Sequence, residues 1–243
     1  MTIRLVTFDA LHTIVTPRLP VYVQYAQTFE PYLGVLEPEA LKKSFKLALN
    51  QVQSEKPVYQ SGHTDWWGEV IKRTAIGAGA DPRAVDASLS LIVPKLLHRF
   101  SSKEGYKLFD DTLPCLQELK RLNIRTGLVS NTDSRMKLVL EDLGILPLLD
   151  PILLSETEGV EKPSREIYFR ACSKAQVSPD EVVHVGDELV ADYKGATEAG
   201  LTALLVRRPA PEGDEERKDP DEDLNGVEVV SCLQQVVQRI SKG

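Results

Sequence analysis

Cysteine is scarce in this chain of 243 residues: there are three, Cys115, Cys172 and Cys232, far apart and in no C-x-x-C pair. An odd, unpatterned set argues against a disulfide framework and for reduced thiols in an intracellular compartment. Long apolar runs are missing too. None approaches the roughly 20 residues needed to cross a bilayer, so no membrane partner is expected. The segment before Asp9 is too short to read as a secretory signal and reads better as a buried strand; cytoplasm is the expected location. There is no basic stripe to neutralise a phosphate backbone, which argues against nucleic acid as a partner. Internal repeats are absent, and the one biased tract is acidic. Eight acidic and two basic residues fall between Glu212 and Asp223, a local balance of −6 within a total of −7. Such a run is expected to be a solvated loop.

What is present is ordinary globular composition, 42% hydrophobic and 27% charged, enough to bury a real core in one large domain or two small ones. The apolar run Ile3–Phe8 ends at Asp9 and suits a central parallel strand buried on both faces. From about Pro20 to Phe100 only helical patterns occur. Pro38 opens one with Leu41, Phe45, Leu49 and Val52 on one face, and Thr64 is expected to cap a second carrying Trp67, Val70, Ile71 and Thr74. Asp81-Pro82 places a cap before proline at the first helical position, and Pro94 is expected to kink or split the helix that follows. After Gly105 the pattern alternates: helix 112–122, strand 125–130, helix 134–143, apolar run 152–154, helix 164–175, strand 182–185, helix 191–199, strand 202–206. Strands alternating with such helices imply a parallel sheet. The spacing predicts an α/β fold: a Rossmann-like three-layer core, residues 1–15 and 106–243, with a helical cap, residues 16–105, inserted after the first strand.

In an open parallel sheet, ligands sit beyond the carboxyl ends of the strands. Three predicted strands end there in polar groups, at Asp9, at Ser130-Asn131 and at Gly186-Asp187, while Lys162-Pro163 lies in a loop before a helix. In this order the chain resembles the haloacid dehalogenase superfamily. Asp9-Ala10-Leu11-His12-Thr13 matches its D-x-x-x-T motif. Leu128-Val129-Ser130-Asn131-Thr132-Asp133 matches the apolar strand ending in Ser or Thr, Gly159-Val160-Glu161-Lys162-Pro163 the lysine motif, and Val183-His184-Val185-Gly186-Asp187, with Asp192 five residues on, the acidic one. The resemblance implies Asp9 as a nucleophile forming a covalent aspartyl intermediate. It implies Mg²⁺ held by Asp9, Asp187 and the backbone carbonyl of Leu11, with Glu188 or Asp192 holding a metal-bound water. Ser130 and the backbone N–H of Asn131 would bind phosphoryl oxygens, with Lys162 as fixed positive charge. The implied partner is a small phosphorylated metabolite. His12 is divided between a site and a loop role, and Asp192 between metal and bracing of its helix. Trp66 and Trp67 read as cap core; His63, His98, His184 and the cysteines read as structural.

One position departs from the pattern. Phosphatases of the superfamily usually carry a second Asp two residues after the nucleophile as acid and base; here it is Leu11, which cannot ionise. Four readings follow: a phosphatase using a good leaving group, or borrowing a base from His12 or the cap; a dehalogenase, although the aromatic-Gly-Thr pattern of that group is absent and only Arg18 is near for the halide; a phosphonate-cleaving enzyme using Lys42, Lys43, Lys46 or Lys56; and a non-catalytic relative that binds a ligand or a protein. Weak or specialised hydrolysis of a phosphorylated metabolite is the expected function, with the binding protein as the alternative from another class.

Overall fold

The computed structural model describes residues 2–60, 62–209 and 222–241; most of the acidic run, residues 212–221, lies outside them. The chain opens with β1 (Leu5–Phe8), buried throughout, and β2 (Val15–Pro17). Four helices follow: α1 (Val21–Leu33), α2 (Pro38–Glu55), α3 (His63–Gly77) and α4 (Pro82–Arg99). Strand β3 (Tyr106–Leu108) pairs with β2 in a separate two-stranded sheet. Strands and helices then alternate through α5 (Thr112–Arg121), β4 (Arg125–Ser130), α6 (Arg135–Asp142), β5 (Ile152–Leu154), α7 (Ser155–Glu158) and α8 (Arg165–Ala175). The remainder is β6 (Val182–Gly186), a π-helical segment Leu189–Lys194 running into α9 (Gly195–Glu198), β7 (Thr202–Val206), β8 (Val229–Val230) and α10 (Leu233–Ile240). Among the described residues no helix is long and apolar enough to cross a membrane.

Six strands form one parallel sheet in the order β5-β4-β1-β6-β7-β8. With flanking helices this is the expected α/β architecture. The first strand is central: Phe8 stands opposite Leu128 of β4 on one side and Val185 of β6 on the other. Chain order reverses across β1, so the carboxyl ends of β4, β1 and β6 face one crevice. Leu5, Val129, Leu153 and Val182 pack with Ile167, Tyr168 and Cys172 of α8, each fully buried aliphatic side chain contributing about 1.5–3 kcal/mol.

The residues group into two compact units. The first holds the large sheet and comprises the chain up to Thr16, Leu108–Asn131 and the part from Ile145 onward. The second comprises Pro17–Lys107 and Thr132–Gly144, the four long helices together with α6. Its own core is built from Tyr25, Phe29, Leu41, Ile71, Val85, Ile92 and Leu96, with Trp66, Val52 and Val70 beside it. Within that unit the Asp133 carboxylate takes Arg135 Nε and Nη2 at 2.8 and 2.7 Å and the Trp67 indole N–H at 2.8 Å. Thus Trp66 is core as expected, whereas Trp67 is partly a polar anchor.

Several local expectations are corrected. Thr64 is not a cap: α3 starts one residue earlier, after Gly62, and makes no side-chain cap hydrogen bond. Pro94 does not split α4, which runs through it to Arg99. Val93 and Leu96 are buried beside it, and packing outweighs one missing backbone hydrogen bond. The helix expected at 191–199 is a wide π turn followed by one short α turn, because Asp192 and Tyr193 N–H both reach back to Glu188 O, at 2.9 and 3.2 Å. By contrast, Asp81 caps α4 as expected, accepting from Arg83 N–H at 3.1 Å.

Candidate active site

Asp9 follows the last residue of β1, and its N–H donates to Val185 O on β6 at 2.8 Å, which carries the parallel ladder one residue further. The buried carboxylate points at Lys162: Nζ donates to Asp9 Oδ1 at 2.6 Å and to Asp192 Oδ1 at 2.6 Å. With 2% of its side chain exposed, this ammonium is removed from water and held between two counter-charges. A buried charge is tolerable only when paired in this way. Its backbone is fixed as well. The Asn131 amide accepts from Lys162 N–H at 2.8 Å and donates to Lys162 O at 2.9 Å. Asn131 therefore presents its side chain to the lysine loop. Ser130, at the end of β4, hydrogen-bonds Asp9.

Asp192 is the hub of the cluster. Besides Lys162, its Oδ1 takes His184 Nε2 at 3.1 Å, and its Oδ2 takes Glu188 N–H at 2.8 Å. His184 in turn meets Thr7 Oγ1 through Nδ1 at 2.9 Å. A neutral ring fits both contacts, Nε2–H donating to Asp192 and Nδ1 accepting from Thr7, and burial lowers the His184 pKa accordingly. The close approach of Asp192 depends on Gly186, where a Cβ would lie 2.1 Å from Asp192 Cγ.

Asp187 stands one residue beyond β6, and Thr13 Oγ1 donates to its Oδ1 at a long 3.5 Å. Carboxylate oxygens of Asp9, Asp187 and Asp192 all lie within 4.8 Å of one another. Burial, then the charges of Asp9, Asp192 and Glu188, push Asp187 well above the usual carboxylate range. Asp9 is raised by burial, with Lys162 pulling the other way. For Asp192, burial is outweighed by the charge of Lys162 and the hydrogen bond from His184, and it sits below that range. Three carboxylates thus face one ammonium, a surplus of negative charge that a divalent cation would neutralise. The donor set fits a hard cation that takes oxygen ligands about 2.0–2.1 Å away. Asp192 is already engaged by three donors, so Asp9 and Asp187 are the better pair for direct ligation.

The structure brings Asp9, Ser130, Lys162, Asp187 and Asp192 together and adds Asn131 behind the lysine. Leu11 and His12 stand in the turn after β1, closed by Ile14 and Val15 N–H on Ala10 O at 3.0 and 2.9 Å and by His12 N–H on Val15 O at 2.7 Å. His12 takes a left-handed φ of 61°, and Leu11 is half-buried. Arg18 turns elsewhere, donating Nε to Lys103 O inside the helical unit. Sequence reasoning took His184 for a purely structural residue and passed over Thr7. The signal was a histidine inside an otherwise apolar, buried strand, since a buried polar group needs a partner.

Fold and site together define a hydrolase family: the chain belongs to the haloacid dehalogenase-like hydrolases, whose family model matches residues 3–200. It is 32% identical over 216 residues, 87% of this chain and 84% of the other, to haloacid dehalogenase-like hydrolase domain-containing protein 3 of Bos taurus. It is 29% identical over 211 residues to glyceraldehyde 3-phosphate phosphatase of Methanopyrus kandleri, covering 85% of this chain and 84% of that one. Among solved structures it is similar to the HAD-hydrolase YfnB of Bacillus subtilis, described as bound to magnesium, with a TM-score of 0.72, 19% identity and coverage of 99% and 100%.

Proposed function

We propose that the protein is a Mg²⁺-dependent phosphohydrolase acting on a small phosphorylated metabolite whose leaving group needs little protonation. The carrying observation is the cluster of three aspartate carboxylates within 4.8 Å of one another, answered by the Lys162 ammonium. Displacing halide from carbon requires no such excess of negative charge, whereas a dianionic phosphoryl group facing Asp9 requires its neutralisation. A Mg²⁺ held by Asp9, Asp187 and the Leu11 carbonyl would screen that repulsion.

In this reading Asp9 attacks phosphorus and becomes the acyl phosphate, with the leaving oxygen departing as an anion. Ser130 and the Asn131 backbone N–H bind non-bridging oxygens. Lys162, pinned by Asp192 and Asn131, offers its charge without having to reorganise. Leu11 supplies no proton to the leaving oxygen and takes none from the incoming water. The loss is worth about 10²–10⁴-fold for an alkoxide and little for an acidic leaving group. A phosphatase relative at 29% identity supports this class of substrate.

The test is a screen of nitrophenyl phosphate, an alkyl phosphate, an acyl phosphate and a haloacid, with and without Mg²⁺, on wild type and Asp9→Asn. Mg²⁺-dependent turnover of the nitrophenyl and acyl phosphates, lost in Asp9→Asn, is the expected result. Metal-independent release of halide would refute it. No turnover of any compound by a well-folded protein would favour the binding-protein alternative, to which Leu11 points.

A further inference from the structure

Beyond β6, the peptide joining Asp187 to Glu188 is held at both ends. Its N–H, from Glu188, donates to Asp192 Oδ2 at 2.8 Å. Its carbonyl, from Asp187, accepts a hydrogen bond from Nη1 of Arg207, the residue after β7. The same Nη1 also donates to Val206 O at 3.0 Å. The guanidinium is fixed in turn by Glu222, which accepts from Nε at 3.2 Å and from Nη2. Both partners are largely buried, with 10% of the Arg207 side chain and 18% of the Glu222 side chain exposed.

A peptide plane held at its oxygen and its nitrogen cannot rotate, and its rotation is what would swing the Asp187 side chain away from Asp9. Arginine suits the task because its planar fork addresses a carboxylate and a carbonyl at once, in fixed directions. Its charge is not what matters here. A bare positive charge beside a cation site would repel the cation, and Glu222 cancels most of that charge.

We infer that Arg207, held by Glu222, is a positioning residue for the divalent-cation site: it locks the Asp187–Glu188 peptide so that the Asp187 carboxylate is aimed at the position it shares with Asp9. The inference rests on the metal reading of the site given above. It extends the cation site by one layer, to the end of the neighbouring strand and to Glu222, the first described residue of the acidic run.

The two contributions of Arg207 have opposite signs. If only its charge acted, removing it would strengthen the binding of every cation. If it positions Asp187, removing it weakens Mg²⁺ most, because Mg²⁺ demands near-ideal octahedral geometry while Ca²⁺ accepts irregular ligands. Groups that orient metal ligands typically contribute about 10–100-fold in affinity. Calorimetric titration of the full-length protein with Mg²⁺ alone and Ca²⁺ alone, beside a melting curve, reads both. Arg207→Gln should lose about tenfold in Mg²⁺ affinity and lower the Mg²⁺/Ca²⁺ affinity ratio, with Arg207→Lys between it and wild type. Unchanged or tighter Mg²⁺ binding, or equal losses for both ions, would overturn the inference. Should Arg207→Gln fail to fold, Glu222→Gln carries the same test: the ratio should fall, and an unchanged ratio overturns the inference. Asp187→Asn separates the two levels. If it binds Mg²⁺ as tightly as wild type, the metal reading falls and Arg207 with it; if it loses Mg²⁺ while Arg207→Gln does not, only the positioning role falls.

Discussion

Replacing Gly186 with alanine adds one methyl group at the most crowded point of the site. A Cβ there would lie 2.1 Å from Asp192 Cγ, 2.2 Å from Oδ2 and 2.5 Å from Cβ, where non-bonded carbons prefer about 3.5–4.0 Å. More than an ångström must be found. Asp192 cannot simply swing aside, because Lys162 Nζ, His184 Nε2 and Glu188 N–H hold it at 2.6, 3.1 and 2.8 Å. Hydrogen bonds to charged groups contribute about 1.5–3 kcal/mol each, so losing two costs about 3–6 kcal/mol. The stiffer unfolded chain of an alanine variant returns about 0.4–1 kcal/mol. The expected net loss is therefore about 2–5 kcal/mol, toward the upper end for a single substitution. Urea denaturation measures it, as a midpoint lowered by about 1–2 M. A double-mutant cycle with Asp192→Gly isolates the cause, because the added methyl would also lie 2.5 Å from Asp192 Cβ, which alanine would keep. With the whole side chain gone the methyl has room, so the double variant should match Asp192→Gly to within about 0.5 kcal/mol. A loss below about 1 kcal/mol for Gly186→Ala, or strict additivity with Asp192→Gly, would refute the reasoning.

Two further expectations follow from other parts of the molecule. Leu11→Asp should raise turnover of an alkyl phosphate by roughly one to three orders of magnitude and of nitrophenyl phosphate by less, since only the former needs its leaving oxygen protonated; steady-state kinetics beside a melting curve decides it, and equal gains on both esters would contradict it. Asp133→Ala should cost about 3–5 kcal/mol in urea denaturation, because it leaves Arg135 unpaired in a largely buried place. Burial of Asp133 is outweighed by Arg135, so its carboxyl titrates below the usual range. The stability from this pair is present above the unfolded carboxylate pKa of about 3.9 and is lost as pH falls through the lower folded value. The gap between wild type and Asp133→Ala should therefore narrow in acid, and a gap constant from pH 7 to pH 3 would contradict the pairing.

The sheet and its polar strand ends were legible because each strand is short, apolar and followed by a helix of the right length. Asp9, Ser130 and Asp187 stood out as polar groups at those ends, and Lys162 by its place in the loop before a helix. Their supports were not legible. Asn131 holds the Lys162 backbone through an amide that sequence alone would as readily point at a ligand, and His184 reaches Asp192 only because a π turn brings that carboxylate back over Gly186. Pro94 misled for the opposite reason. Its local rule is sound, but burial of Val93 and Leu96 carried α4 through it. Strand β8 and helix α10 escaped notice because two strand residues and eight helical ones give too short a pattern to count.

The ion pair between Asp9 and Lys162 spans 153 residues of chain, and the Thr7–His184 contact spans 177. A ribosome adding about 5–20 residues per second exposes Asp9 well before its counter-ion, by roughly 8–30 s. Asp192, the hub, comes later still. During that interval the four long helices, which possess a core of their own around Tyr25, Phe29, Leu41 and Ile92, are already complete and can collapse on local contacts. The central strand must meanwhile wait with its carboxylate solvated. Emergence of the last charged partner thus sets the earliest moment at which the sheet half can close around its carboxylates, and a chain released before residue 192 would lack the hub of that cluster.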